Sequence, residues 1–191
     1  MDVNKEIELQ SITPKDKEAI NIGKKYRIRH FALSFASSEE SVNNMRELIG
    51  NDATIISKVE SRIGLDNLDG ILKASDSILI DRGDLSRQVP LEKIPFLQRR
   101  IISIARSRNV PVFVATNLLE SMINAKEPTR AEINDVVSTI LMGADGLVLA
   151  AETAVGKYPE KSVKMLSKLM NQINQWTPNS SIDDILTWST I

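Results

Sequence analysis

Cysteine is absent from the 191 residues. That excludes disulfide staples, thiolate metal ligation and a cysteine nucleophile. Aromatic residues are only 4% of the chain, so any core must be aliphatic. Charge of one sign is also missing: 24 Lys and Arg stand against 25 Asp and Glu, which leaves no general pull toward nucleic acid or an anionic membrane. The basic stretch Arg99, Arg100, Arg106 and Arg108 has no interleaved aromatics to stack bases and reads as a solvated helix face. No apolar run approaches the roughly 20 residues of a membrane helix. Residues 1–10 are polar and charged, unlike a secretory signal. The single histidine, His30, falls at the entry end of a strand and reads as a packing or surface residue. What remains is a cytoplasmic α/β domain that binds neither nucleic acid nor membrane.

Five short apolar runs recur, at 28–35, 54–59, 77–80, 110–115 and 146–149. They are near-continuous rather than alternating, the pattern of parallel strands buried on both faces. Helical patterns lie between them. Thr13-Pro14 opens one that runs to about Lys25. Ser38 caps a second, ending at Gly50. Residues 64–73 form a third, and 91–106 a fourth with Pro95 delaying its start. Thr129-Arg130-Ala131-Glu132 has the form of a capping box, and Pro159 opens a last long helix. This is the rhythm of consecutive β/α units. Residues 1–176 form that body and 177–191 a tail of different character, either a frayed end or a short amphipathic helix covering a surface.

Three strands end in polar residues that buried strands seldom carry. Lys58 and Glu60 are two apart and share a face. Asp81-Arg82-Gly83-Asp84 is a charged turn, and Thr116-Asn117 follows Ala115. Parallel β/α folds bind ligands at the C-terminal ends of their strands, so Lys58, Glu60, Asp84 and Thr116 converge on one rim. Carboxylates with water and carbonyl oxygens suit a hard divalent cation such as Mg²⁺ or Mn²⁺. An ammonium beside them suits a developing enolate or phosphoryl oxygen. A salt-bridged rim without a ligand satisfies the same spacing.

At this point five segments resemble a known family. Lys58-Val59-Glu60-Ser61, Asp81-Arg82-Gly83-Asp84-Leu85, Ala115-Thr116-Asn117-Leu118-Leu119-Glu120-Ser121-Met122, Pro128-Thr129-Arg130-Ala131-Glu132 and Ala151-Glu152-Thr153-Ala154 are similar, in order, to the signatures of pyruvate kinases. The resemblance runs over about residues 8–175. It implies a partial TIM-type β/α barrel with about five parallel strands and flanking helices. It further implies Lys58 as the group that stabilises the enolate, Glu60 and Asp84 as ligands of Mg²⁺ or Mn²⁺, the backbone of Arg82, Gly83 and Asp84 as the seat of the substrate carboxylate, and Thr116 beside the carbon that is protonated. The implied ligand is phosphoenolpyruvate, pyruvate or a related 2-oxo acid.

Departures limit what carries over. Ala150 stands where the family has a serine of the proton-delivery region. Asp81 replaces a small residue, retuning the ion's charge or pairing with Arg82. Ser86 replaces a glycine and Asn117 a glutamine, both tolerable. The family's first three barrel strands, its lid and its regulatory domain have no counterpart here, and with them go the phosphate-binding groups on which phosphoryl transfer depends. Lyase, aldolase or decarboxylase chemistry is then expected of the chain alone, and phosphotransfer only if the missing strands are supplied. A non-catalytic binding or assembly module is the alternative. Five strands cannot close the barrel, so a second copy, a partner protein or the tail must complete it. Arg130 heads the segment that lies at a subunit interface in the family, or is simply a solvated helix start.

Overall fold

The computed structural model describes residues 12–188; the readings of residues 1–10 and of the last residues of the tail lie outside them. Five strands stand in one sheet in chain order, β1 to β5. Parallel strands in consecutive order, without a reversal, are the order of a β/α barrel rather than of a doubly wound sheet. By their contacts the residues fall into two compact units, dividing inside β3 after Ile78.

The first unit holds α1 (Pro14–Lys25), β1 (His30–Leu33), α2 (Glu39–Ile49), β2 (Thr54–Val59), α3 (Arg62–Asp66), α4 (Leu68–Ala74) and the start of β3 (Ser77–Asp81). Helix α1 begins where the Thr13 hydroxyl accepts from the Asp16 N–H and Asp16 accepts from the Thr13 N–H. Ser38 and Ser41 do the same for α2. Gly50 ends α2 at φ 87°, in the region that only glycine enters freely. Strand β1 pairs with β2 in parallel, from His30 opposite Thr54 to Leu33 opposite Ser57. The core is Leu33, Val42, Met45, Ile49, Ile55, Val59, Ile71 and Leu72. His30 heads β1 and, with Ile20, Ile28 and Phe31, lines an apolar groove of about 440 Å³.

The second unit holds the end of β3, α5 (Arg82–Leu85), α6 (Ile94–Ser107), β4 (Val112–Ala115), α7 (Arg130–Leu141), β5 (Gly146–Val148), α8 (Ala151–Ala154), α9 (Pro159–Gln175) and α10 (Ile182–Thr187). Strand β4 pairs with β5 in parallel, Phe113 opposite Gly146. A side chain at Gly146 would meet the Phe113 ring at 2.7 Å, which explains the glycine. Leu118, Leu119, Met122, Val136 and Leu169 form the core under α7 and α9.

Several expectations need correction. The 64–73 helix is two helices, α3 and α4, broken at Asn67, whose ψ of 16° is not helical. Helices α5 and α8 were not anticipated: each is a single turn, too short to show a period. Continuous burial of the strands is not what β2 shows. Ile55, Ser57 and Val59 are buried while Thr54, Ile56 and Lys58 are half-exposed, an alternation that marks one covered face. Strand β4 starts at Val112 because Pro111 has no N–H to give a ladder. Helix α6 starts at Ile94, with a single 3₁₀ turn before it, as Pro95 requires. The tail does form the short helix α10, capped by Ser181, yet Ile182, Ile185 and Leu186 stay exposed.

Candidate functional site

Strand β2 delivers Lys58 and Glu60 in the first unit. Glu60 is 1% exposed. Its Oε2 accepts the Phe35 N–H at 2.5 Å, and its Oε1 faces the Lys58 ammonium as an ion pair. Beyond that ion pair, Oε1 has no hydrogen-bond partner among the described residues. The shared face expected for these two side chains is therefore real. Phe35 sits at φ 50°, so a left-handed turn aims its N–H at the carboxylate.

The second unit carries the rest. Asp81 closes β3 and is buried. Asp84 lies in α5, half-exposed, with a loose pairing to Arg87 at 3.7 Å. Carboxylate oxygens of Asp81 and Asp84 lie within 4.8 Å of one another. Thr116 follows β4 at φ 69° and Asn117 at φ 53°, two left-handed residues in succession and neither a glycine. The Thr116 hydroxyl accepts the Gly83 N–H at 2.8 Å. It has one proton to give, to the Ala115 carbonyl at 2.6 Å or to Asp81 Oδ1 at 3.3 Å. Asp84, Gly83 and Thr116 are thus brought together around α5.

Arg82 behaves differently from the pairing with Asp81 weighed above. Its guanidinium turns to the Thr116 carbonyl at 2.6 and 3.0 Å, the Asn117 carbonyl at 3.0 Å, Asp135 at 2.7 Å and Gln98 at 3.4 Å. Gln98, buried in α6, passes the network on to Thr139 at 3.0 Å. Neither Gln98 nor Asp135 was singled out from the sequence. A signal was there: Glu132, Asp135 and Thr139 stand three and four apart, a polar stripe along one face of α7.

The loop after β4 is fastened further along by two carboxylates. Glu152, 1% exposed, accepts the Leu119 N–H at 3.0 Å and the Ala150 N–H at 2.8 Å. Its place is loop anchoring. Glu132 accepts from the N–H and hydroxyl of both Ser121 and Thr129 at 2.6–2.9 Å. Burial raises its carboxyl, but the hydroxyls and N–H groups outweigh burial and hold it below the usual range. Arg130 is the exposed first residue of this capped helix.

A family model described as "Pyruvate kinase, barrel domain" matches residues 2–163. The pyruvate kinase of Thermotoga maritima is 42% identical over 170 residues, covering 87% of this chain and 36% of its own length. That of Thermoplasma acidophilum is 41% identical, with 87% and 31% covered. The chloroplastic pyruvate kinase isozyme A of Ricinus communis is 40% identical, with 88% and 30% covered. The chain spans about a third of the length of these curated relatives. Through its barrel domain, the chain belongs to the pyruvate kinase family.

Proposed function

We propose that this chain binds phosphoenolpyruvate, pyruvate or a related 2-oxo acid together with Mg²⁺ or Mn²⁺, and stabilises the enolate of that acid. Glu60 and Asp84 would hold the ion. Both offer hard carboxylate oxygens, the donors such ions select. The observation that carries the reading is Glu60: a carboxylate 1% exposed whose Oε1 receives no hydrogen bond among the described residues. Its charge is met by the Lys58 ammonium alone, held against Oε1 as an ion pair, and a hard divalent ion could take the same oxygen. When bound, the ion would supply charge neutralisation at the oxygens of the 2-oxo acid.

The chain's own residues have distinct tasks in this reading. Lys58, held against Glu60, places an ammonium where negative charge develops on the enolate oxygen. The Thr116 hydroxyl stands beside the carbon that gains or loses a proton. The backbone of Arg82, Gly83 and Asp84 receives the substrate carboxylate. Of these groups, the Gly83 N–H now rests on the Thr116 hydroxyl, so a carboxylate would have to displace that contact. Chemistry of the lyase, aldolase or decarboxylase type needs no nucleotide clamp. Phosphotransfer returns if a second copy or a partner protein supplies the family's other strands, and the chain is then an oligomer or a subunit in the cytoplasm. The alternative, a non-catalytic binding or assembly module, draws on Ala150 and on that engaged Gly83 N–H.

Calorimetric titration of Mn²⁺ and oxalate, a planar mimic of enolpyruvate, tests the reading. Each ligand is expected to tighten the other in the wild-type chain, and Glu60→Gln and Asp84→Asn to abolish that mutual effect. A folded wild-type chain that binds neither would remove the enzyme reading and leave the assembly module.

A further inference from the structure

Thr116 and Asn117 both adopt the left-handed conformation. For a β-branched residue such as Thr116 this conformation is strongly disfavoured, and it persists only where surroundings impose it. Beside the Thr116 hydroxyl's contacts with Gly83, Ala115 and Asp81 and the Asn117 amide's contact with Glu120, one side chain holds both backbone carbonyls of the turn. A guanidinium has five N–H donors in a rigid fork. Arg82 makes five contacts: Nε and Nη2 on the Thr116 carbonyl, Nη2 on the Asn117 carbonyl, and Nη1 on Asp135 and Gln98. Two nitrogens grip the strained turn and the third is gripped by α6 and α7. Arg82 is largely buried, at 11% side-chain exposure, whereas Asp135 is 39% exposed, so the grip can be altered from the surface without opening the core. What the turn presents on its other side is the Thr116 hydroxyl, set 2.8 Å from the Gly83 N–H.

We infer that the Arg82 side chain is a positioning residue: it holds the left-handed Thr116–Asn117 turn so that the Thr116 hydroxyl meets the Gly83 N–H, and Asp135 on α7 keeps the guanidinium in that orientation. The consequence for ligand binding rests on the function proposed above. The consequence for the turn does not. A lysine cannot replace this arginine, since three donors on one ammonium cannot bridge two carbonyls and two side chains that lie on opposite sides of the fork.

The test uses the full chain with Arg82→Lys, Arg82→Met, Asp135→Ala and Asp135→Asn. Amide exchange at Gly83 and the ¹³C-methyl shift of Thr116 report the turn. Affinity for Mn²⁺ alone, and for oxalate in the presence of Mn²⁺, reports the site. Gly83 exchange is expected to rise about tenfold or more in Arg82→Lys and Asp135→Ala as the closed turn loses its hold. Oxalate affinity is expected to fall by roughly ten- to a hundredfold in Arg82→Lys, the scale of a misplaced binding group. Affinity for Mn²⁺ alone is expected to stay within about twofold, since neither proposed ligand is touched. Asp135→Asn, which keeps an acceptor oxygen, should recover most of what Asp135→Ala loses. Combining Arg82→Lys with Asp135→Ala should add nothing to Arg82→Lys alone. Unchanged Gly83 exchange and Thr116 shift in Arg82→Lys would overturn the inference, and so would losses that add independently. If Arg82→Met does not fold, the lysine and Asp135 variants still decide. A wild-type chain that binds no oxalate would refute the proposed function, while the exchange and methyl data would still decide the positioning role.

Discussion

Glu152 is the buried carboxylate whose removal has the most definite expected cost. It is 1% exposed, and each of its oxygens accepts one backbone N–H, from Leu119 and from Ala150. Leu119 lies in the loop after β4 and Ala150 in the loop after β5, so one side chain ties the two loops together. Glu152→Gln converts one oxygen into an N–H₂ group. Whichever oxygen is lost, one buried N–H then faces a donor, which costs about 1–3 kcal/mol. The surviving bond also loses its charge assistance. A neutral side chain is easier to bury, which leaves a net loss of about 2 kcal/mol. Urea unfolding of a chain this size has a slope near 2 kcal/mol per molar, so the midpoint should fall by about 1 M. Glu152→Ala orphans both amides and leaves a gap, and should lose about 3–4 kcal/mol. Circular dichroism gives the midpoint, and hydrogen exchange at Leu119 and Ala150 locates the effect. A Glu152→Gln midpoint within about 0.2 M of wild type, with both amides still protected, would refute the assignment of this carboxylate as the loop anchor.

Gly146→Ala places a methyl group 2.7 Å from the Phe113 ring across the β4–β5 pair. It should cost about 1–3 kcal/mol by overpacking, read in the same urea titration, and Phe113→Leu in the same chain should recover part of the loss. Stability should also fall in acid through two named groups. Burial raises the Asp76 carboxyl, but the Ile55 N–H and the Arg46 guanidinium outweigh it and leave it below its ordinary value; Glu132 is lowered likewise by Ser121 and Thr129. Both folded values lie below the unfolded ones, about 4, so the contribution is complete above that range and is lost as pH falls through the folded values. Asp76→Asn and Glu132→Gln should each flatten the acid limb of a stability–pH curve while lowering its neutral plateau; an unchanged acid limb would refute the assignment.

The parts of the fold that local chemistry dictates were legible in the sequence. Thr129 and Glu132 form the capping box their spacing announces. Thr13 and Ser38 cap the helices they were assigned. Gly50 stops α2 through its positive φ. The five strands sit on the five apolar runs, since a short apolar segment between turn signals suits a buried strand whatever lies beyond it. What escaped was decided by tertiary contact. Helices α5 and α8 are single turns whose ends are fixed by neighbouring loops, so no period could reveal them. The half-exposed face of β2 depends on what covers it, and Ile56 has the composition of a buried strand residue either way. For the candidate site, spacing could put Lys58 and Glu60 on one face, since two residues along a strand suffice. It could not say that Arg82 would turn toward Thr116 and Asp135, since those partners come from thirty-four and fifty-three residues away.

Carboxylates in this chain look alike in sequence, and hydrogen-bond saturation is what tells them apart. Glu132 takes four donors and Glu152 takes two backbone amides, one on each oxygen. Such groups have their charge already satisfied by the fold, and a cation would have to break those bonds to reach them. Glu60 is as deeply buried as Glu152, but only its Oε2 is met by an N–H. Its Oε1 faces an ammonium without a formed hydrogen bond. Glu60 therefore depends on one amide and one ammonium, where Glu132 and Glu152 have hydrogen bonds on both oxygens. The same comparison separates the two arginine-bearing turns. Arg87 lies 80% exposed and reaches Asp84 only at 3.7 Å, so it leaves that carboxylate open, whereas Arg82 spends all five donors inside the protein. Asp84 is therefore more accessible to a ligand than a carboxylate held as Glu132 is.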